Sequence, residues 1–198
     1  IEKPKKDILP DWISDTGADM QGQGRNYLAS MGIYIFNKKI LDKILNEAHP
    51  TATDFGKEII PDSIENYKVS SFQYDGYWTD IGNIYSFYEA NLALTQEVPL
   101  FNLFDNNKTV YSRARMLPPA KISGTTLEKT IIAEGSIIHA SRIEQSVVGI
   151  RSRIGHGTTV VSTYIMGNDY YETLEEMELN TSKGLPKIGI GERCYIKD

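Results

Sequence analysis

Ile154-Gly155-His156-Gly157-Thr158-Thr159, with its counterpart Ile132-Ala133-Glu134-Gly135-Ser136-Ile137, decides the fold. In each, aliphatic side chains are set apart by small or polar residues, and the spacing runs outward in both directions. Ile122, Leu127, Ile132, Ile138, Ile143, Val148, Ile154, Val160 and Ile165 recur at intervals of five or six residues. A helix needs steps of three and four, and an antiparallel sandwich needs alternation at every second residue, so neither fits. A hexapeptide β-helix does fit: each short strand points one aliphatic side chain into a narrow prism, and small residues turn the corners. The pattern breaks over 168–186, which is rich in Glu and carries Leu174, Met177 and Leu179, and resumes at Ile188-Gly189-Ile190-Gly191. Insertions leave a solenoid from one face as loops. This one reads equally as a binding or subunit-contact loop and as a solvated excursion.

Upstream of the repeats the pattern is different. Residues 1–95 alternate strand and helix signals, as the C-terminal part of an α/β domain would. The apolar, partly β-branched run 28–36 predicts a buried strand, 38–47 carries Ile40, Leu41, Ile44 and Leu45 at helical spacing, and 69–74 predicts another strand. Asp54, ahead of Phe55-Gly56-Lys57, reads as the cap of a following helix. In Asp75-Gly76-Tyr77-Trp78-Thr79-Asp80-Ile81-Gly82, the aromatics favour extended structure and Gly82 supplies a turn. Tyr85, Tyr88, Ala90 and Leu92 then recur at helical spacing. Asp80 thus stands at a strand-to-helix corner, where a carboxylate either caps the helix or holds a hard cation against phosphate oxygens. Residues 96–119, with Pro99, Asn102, Asp105, Asn106, Asn107 and the pair Pro118-Pro119, form a linker. The repeats then fill 120–198.

Composition bounds the partners. With 198 residues, 40% hydrophobic and 24% charged, the chain buries a real core. A net charge of -5 argues against nucleic acid and anionic membrane surfaces, although local lysines can still bind phosphate. The single cysteine, Cys194, forms no internal disulfide, which fits a reducing cytoplasm. One Cys and three His make no zinc cluster. No apolar run approaches the about 20 residues that span a membrane.

Several segments, in order, resemble one family, the ADP-glucose pyrophosphorylases (glucose-1-phosphate adenylyltransferases). They are Ile1-Glu2-Lys3-Pro4-Lys5, Ala29-Ser30-Met31-Gly32-Ile33-Tyr34, Asp54-Phe55-Gly56-Lys57 and the corner from Trp78 to Leu92. Leu117-Pro118-Pro119-Ala120-Lys121, Ser146-Val147-Val148-Gly149-Ile150-Arg151-Ser152 and Met166-Gly167-Asn168-Asp169-Tyr170-Tyr171-Glu172 continue the match. Asp169-Tyr170-Tyr171-Glu172 and Gly189-Ile190-Gly191 lean towards the plant and cyanobacterial branch. The resemblance implies the C-terminal part of a Rossmann-like nucleotidyltransferase domain followed by a left-handed parallel β-helix. The activity it implies is ATP plus glucose 1-phosphate to ADP-glucose and pyrophosphate, in glycogen or starch synthesis. The family's glycine-rich nucleotide loop and a second metal-binding Asp have no counterpart here, so the chain is expected to be a fragment that is inactive alone.

By the same resemblance Glu2 and Lys3 contact glucose 1-phosphate, Ser30 and Gly32 meet the glucose, Asp54 helps to shape its pocket, and Asp80 binds Mg²⁺. The catalytic pair is then Asp80 and Lys3. The residue chemistry agrees with these roles. Lys is a compact charge for phosphate, an ionised Glu only accepts hydrogen bonds, and a serine within an apolar strand needs a ligand hydroxyl or a backbone carbonyl as partner. The family is implied to form tetramers, here a homotetramer, regulated by anionic metabolites. Arg151 is the preferred effector contact and Lys197 a second, because a guanidinium suits bidentate phosphate recognition. His139 and His156 read as turn residues. No nucleophile with an adjacent base is present, so covalent catalysis is not expected. The rivals are a nucleotidyltransferase for another nucleotide or sugar, a non-catalytic regulatory subunit, and a hexapeptide acyltransferase, in which the Glu2-Lys3-Pro4 and Trp78-Thr79-Asp80 segments have no place.

Overall fold

The computed structural model describes residues 6–197. The chain divides into two compact units, Ile1–Tyr74 and Asp75–Asp198.

In the first unit the described elements are helical. A 3-10 turn at Leu9–Trp12 is followed by α1 (Ala18–Gly22) and α2 (Lys38–Lys43), which widens into a π-helical turn at Ile44–Ala48. Asn37 starts α2 by accepting the Lys39 N–H at 3.0 Å. A second π-helical turn, Phe55–Ile59, runs into α3 (Ile60–Asn66), which has Pro61 in its first turn. Ile44 and Ile59 are fully buried. The runs 28–36 and 69–74 form no strand among the described residues, and Ile35 is 99% exposed. A strand exists only when a neighbour takes up its ladder of N–H and C=O groups, and apolar content alone cannot provide that neighbour.

The second unit opens with an irregular Asp75–Asn83 segment and α4 (Ile84–Ala93). The segment at Tyr77 and Trp78 also makes no ladder. After the turns of 94–120 the β-helix begins. Its strands are β1 (Lys121–Ile122), β2 (Thr126–Glu128), β3 (Ile131–Ile132), β4 (Ile137–Ile138), β5 (Arg142–Glu144), β6 (Val147–Val148), β7 (Arg153–Ile154), β8 (Thr159–Val161), β9 (Tyr164–Ile165) and β10 (Tyr195–Lys197). They stack, all in parallel, on three faces ordered β1-β4-β7, β10-β8-β5-β2 and β3-β6-β9. Ile122 pairs with Ile138 and Ile138 with Ile154, a step of 16 residues per coil, and Ile143 with Val160, a step of 17. The aliphatic periodicity in the sequence is this ladder seen along the chain.

The prism is packed by those same aliphatics. Ile138, Ile143, Val148, Ile154 and Val160 are fully buried, with Ile132, Ile165, Ile190 and Ile196 packed against them. Ile122 and Leu127, 41% and 44% exposed, lie on the first coil, which has a neighbour on one side only. At the corners, buried hydroxyls close on main-chain carbonyls: Ser152 Oγ donates to Gly149 O at 2.9 Å and Thr158 Oγ1 to Gly191 O at 2.8 Å. That removes the cost of a buried unpaired hydroxyl.

The step from β8 to β10 is 36 residues. The surplus chain holds α5 (Leu174–Ser182), started by a capping box in which Thr173 and Glu176 exchange side-chain and backbone bonds.

Candidate functional site

Of the residues singled out from sequence, Glu2 and Lys3 lie outside the described residues. Ser30, Gly32 and Asp54 belong to the first unit, and Asp80, Arg151 and Lys197 to the second.

In the first unit, Ser30 is exposed and not embedded in a strand. Its Oγ lies 3.1 Å from the Tyr34 hydroxyl and accepts the Gly32 N–H at 3.2 Å. Of the two partners anticipated for it, a ligand hydroxyl or a backbone carbonyl, the carbonyl gives way to a tyrosine four residues on and a backbone N–H two residues on. Gly32 makes the tight turn at φ +71°, a region other residues rarely enter. Tyr34 stacks on Phe55 at 6.3 Å, and Phe36 meets both rings edge-on at 6.5 and 5.9 Å. The aromatic triad therefore brings the Ser30 turn and the Asp54-Phe55 segment together. Tyr34 was not singled out by sequence reasoning, and its only signal was its place after the glycine.

Asp54 caps the following helix, as its position predicted. Its Oδ1 accepts the N–H of Gly56 at 2.8 Å and of Lys57 at 3.0 Å. Glu58 reaches back, accepting the N–H of Thr53 at 2.9 Å and of Asp54 at 3.0 Å. Both carboxyls sit below their ordinary range. For Asp54 the first cause is the Lys57 N–H, opposed by partial desolvation and helped by Gly56 and the Lys57 charge. For Glu58 the causes are the Thr53 and then the Asp54 N–H.

In the second unit, Asp80 does not cap α4. The cap is Asn83, whose Oδ1 accepts the Ser86 N–H at 2.9 Å. The N-cap alternative for Asp80 is therefore overturned: a cap must reach the first-turn N–H groups, and Asn83 is the residue adjacent to them. Asp80 is exposed, and its carboxylate folds over Gly82, where a Cβ would stand 3.1 Å from Oδ2. Among the described residues no group of three or more His, Cys, Asp or Glu can hold a metal ion. An exposed carboxylate alone does fit Mg²⁺, which keeps several waters and takes the rest of its ligands from one or two carboxylates and substrate phosphates.

On the β-helix, Arg151 occupies a corner at φ 54° and is half-buried. Its guanidinium lies 5.7 Å from the Tyr171 ring centroid and donates to Asn168 O at 3.4 Å, while Asn168 Nδ2 donates to Arg151 O at 3.0 Å. The Tyr171 hydroxyl donates to Gly135 O at 2.9 Å, in space that a Cβ on Gly135 would overlap. Glu172 accepts from Asn180 Nδ2 and from Ile188 N, at 3.1 and 2.9 Å. Arg151, Asn168, Tyr171 and Glu172 thus strap the insertion to the coils, and an anion at Arg151 has to share its guanidinium with these contacts. Lys197 is exposed at the end of β10. His139 and His156 stack at 4.6 Å at one corner, with His139 Nδ1 buried and unpartnered.

The comparisons with known proteins divide the chain further along than the two compact units do. Residues 1–97 match the family model described as nucleotidyl transferase, and residues 115–198 the one described as the GLGC left-handed parallel beta-helix domain. The handedness of the three-faced coil is therefore left. A glucose-1-phosphate adenylyltransferase small subunit, chloroplastic/amyloplastic, from Triticum aestivum is 40% identical over 99% of this chain. The chain spans 43% of the length of that curated relative. Among the described residues no helix is long and apolar enough to cross a membrane.

Proposed function

The chain belongs to the glucose-1-phosphate adenylyltransferase family, and from that premise we propose that the whole protein makes ADP-glucose and pyrophosphate from ATP and glucose 1-phosphate. The observation that carries this reading is identity of 40% sustained through 99% of the chain. In the proposed reaction a phosphate oxygen of glucose 1-phosphate bonds to the α-phosphorus of ATP. The bond from that phosphorus to the bridging oxygen breaks, and pyrophosphate leaves. Positioning and charge neutralisation dominate such a displacement.

Lys3 would hold the sugar phosphate by charge, and Glu2 would accept from a glucose hydroxyl. Ser30 Oγ, already within reach of the Tyr34 hydroxyl, would exchange a hydrogen bond with the sugar above the Gly32 turn. Asp54, ionised and committed to Gly56 and Lys57, would keep that segment fixed beside the pocket. Asp80 would hold a divalent cation, proposed to be Mg²⁺, whose chemistry when bound is to screen the phosphate charges. Arg151 and Lys197 are the proposed contacts for anionic effectors, in a cytoplasmic homotetramer.

The test is turnover of the purified full-length protein with glucose 1-phosphate and each nucleoside triphosphate in turn. We expect ADP-glucose from ATP to exceed any other product at least about tenfold, since a site built to hydrogen-bond one base rejects the others. Product only from another nucleotide would replace this reading with that of a sister nucleotidyltransferase.

A further inference from the structure

We infer that Tyr88 is a positioning residue that ties the Asp80 carboxylate to the β-helix, an inference that rests on the reading of Asp80 as the cation-holding group. Asp80 lies three residues before the cap of α4 and folds against Gly82, so its place follows that of the first turn. One turn into the helix, the half-buried Tyr88 hydroxyl donates to the main-chain carbonyl of Ser162 at 2.6 Å. Phe87 beside it meets Tyr164 edge-on at 4.9 Å. The acceptor is rigid: Ser162 turns a coil corner at φ 46°, its N–H donates to Glu144 O at 3.0 Å, and the next N–H donates to Ser146 Oγ at 3.1 Å. Upstream of Asp80, Tyr77 stacks on Phe101 at 6.4 Å, holding the other side of the corner.

Apolar contacts such as those of Phe87 and the buried Leu92 resist lifting of α4 but leave it able to roll about its axis. A short directional bond to a fixed carbonyl does not. A roll of about 10° moves a group at the side-chain radius of about 6 Å by about 1 Å, and a misplacement of about 1 Å in a catalytic group costs up to about a hundredfold in rate. No local pattern announces this bond, which joins residues 74 apart through a backbone acceptor.

The test is Tyr88→Phe in the full-length protein, which removes the hydroxyl and keeps the ring. We expect kcat to fall about tenfold with both substrate KM values within about twofold. We also expect Mn²⁺ affinity, read by electron paramagnetic resonance with a non-hydrolysable ATP analogue bound, to weaken severalfold. Phe87→Leu, which loosens the second anchor, should reproduce the pattern, and the exposed Glu89→Gln should not. Unchanged kcat and Mn²⁺ affinity in Tyr88→Phe would overturn the inference, as would losses that merely track a lowered melting temperature. A wild-type protein that makes no ADP-glucose would refute the proposed reaction instead, while the Mn²⁺ readout still judges the tether.

Discussion

At the scale of single residues, the corner around Asp80 separates two roles that one short stretch of sequence left superimposed. Asn83 caps α4 and Asp80 does not, so the charge of Asp80 can be removed without touching the cap. Asp80→Asn keeps shape and loses only charge. In the full-length protein it should leave the melting temperature unchanged and, for the proposed reaction, lower kcat by about a hundredfold or more, the scale of losing an electrostatic contact to the reacting centre. Asn83→Ala should cost about 1 kcal/mol of stability, as cap removals do. Steady-state kinetics and thermal unfolding on the two variants check both halves. A wild-type rate in Asp80→Asn would leave Asp80 without a role in the chemistry. The contrast was not legible beforehand because Asp and Asn are equally good caps, and only the helix boundary distinguishes them. The Ser30–Tyr34 contact was hidden in a similar way, since nothing in a sequence says that a glycine turn will fold a tyrosine back on a serine.

At the scale of elements, the start of the Phe55–Asn66 helical segment is a reciprocal carboxylate cap and is therefore pH-sensitive. The folded-state pKa values of Asp54 and Glu58 are lowered, so the unfolded segment binds more protons at acid pH. Their contribution is fully present above the ordinary carboxylate values and is lost as pH falls through the lowered ones. The Gly56 and Lys57 amides should exchange faster as pH drops below about 4, after correction for intrinsic rates. Asp54→Asn, which caps without titrating, should remove much of that dependence. Amide exchange followed by NMR reads this directly. The segment was anticipated because a cap and a helix are local, encoded within a few residues. The strands expected at 28–36 and 69–74 were not found, because strand formation depends on a partner that a local pattern does not contain. The β-helix is the instructive exception: from β1 to β9 paired strands lie 16 or 17 residues apart, so the long-range pairing is itself written as a period. The helix α5 interrupts that period, and its Leu174, Met177 and Leu179 lie in a stretch that reads from sequence only as an insertion.

At the scale of the whole molecule, a stacked solenoid is nearly one-dimensional, and each coil is stabilised by its neighbours. Ile143, fully buried with coils on both sides, should cost about 2–5 kcal/mol when cut to alanine. Ile122→Ala, on the first coil, should cost clearly less, and urea unfolding of the full-length protein compares the two. The same stacking creates an acid sensitivity at one corner. His139 lies against His156 at 4.6 Å with its Nδ1 buried and without a partner. Its pKa is lowered, first by burial and then by the positive charges of His156, Lys121, Arg153 and Lys187, none of which a protonated imidazole can neutralise. Because the folded value lies below the ordinary imidazole value of 6.5, the unfolded chain takes up the proton first as pH falls. The stability that His139 contributes by staying neutral is present above about pH 6.5 and is lost below it, down to the lowered folded value. Unfolding midpoints measured between pH 7.5 and 5.5 should therefore fall more steeply for the wild type than for His139→Gln. Parallel slopes in the two proteins would mean that His139 takes no part in the acid sensitivity, and that acid acts elsewhere in the molecule.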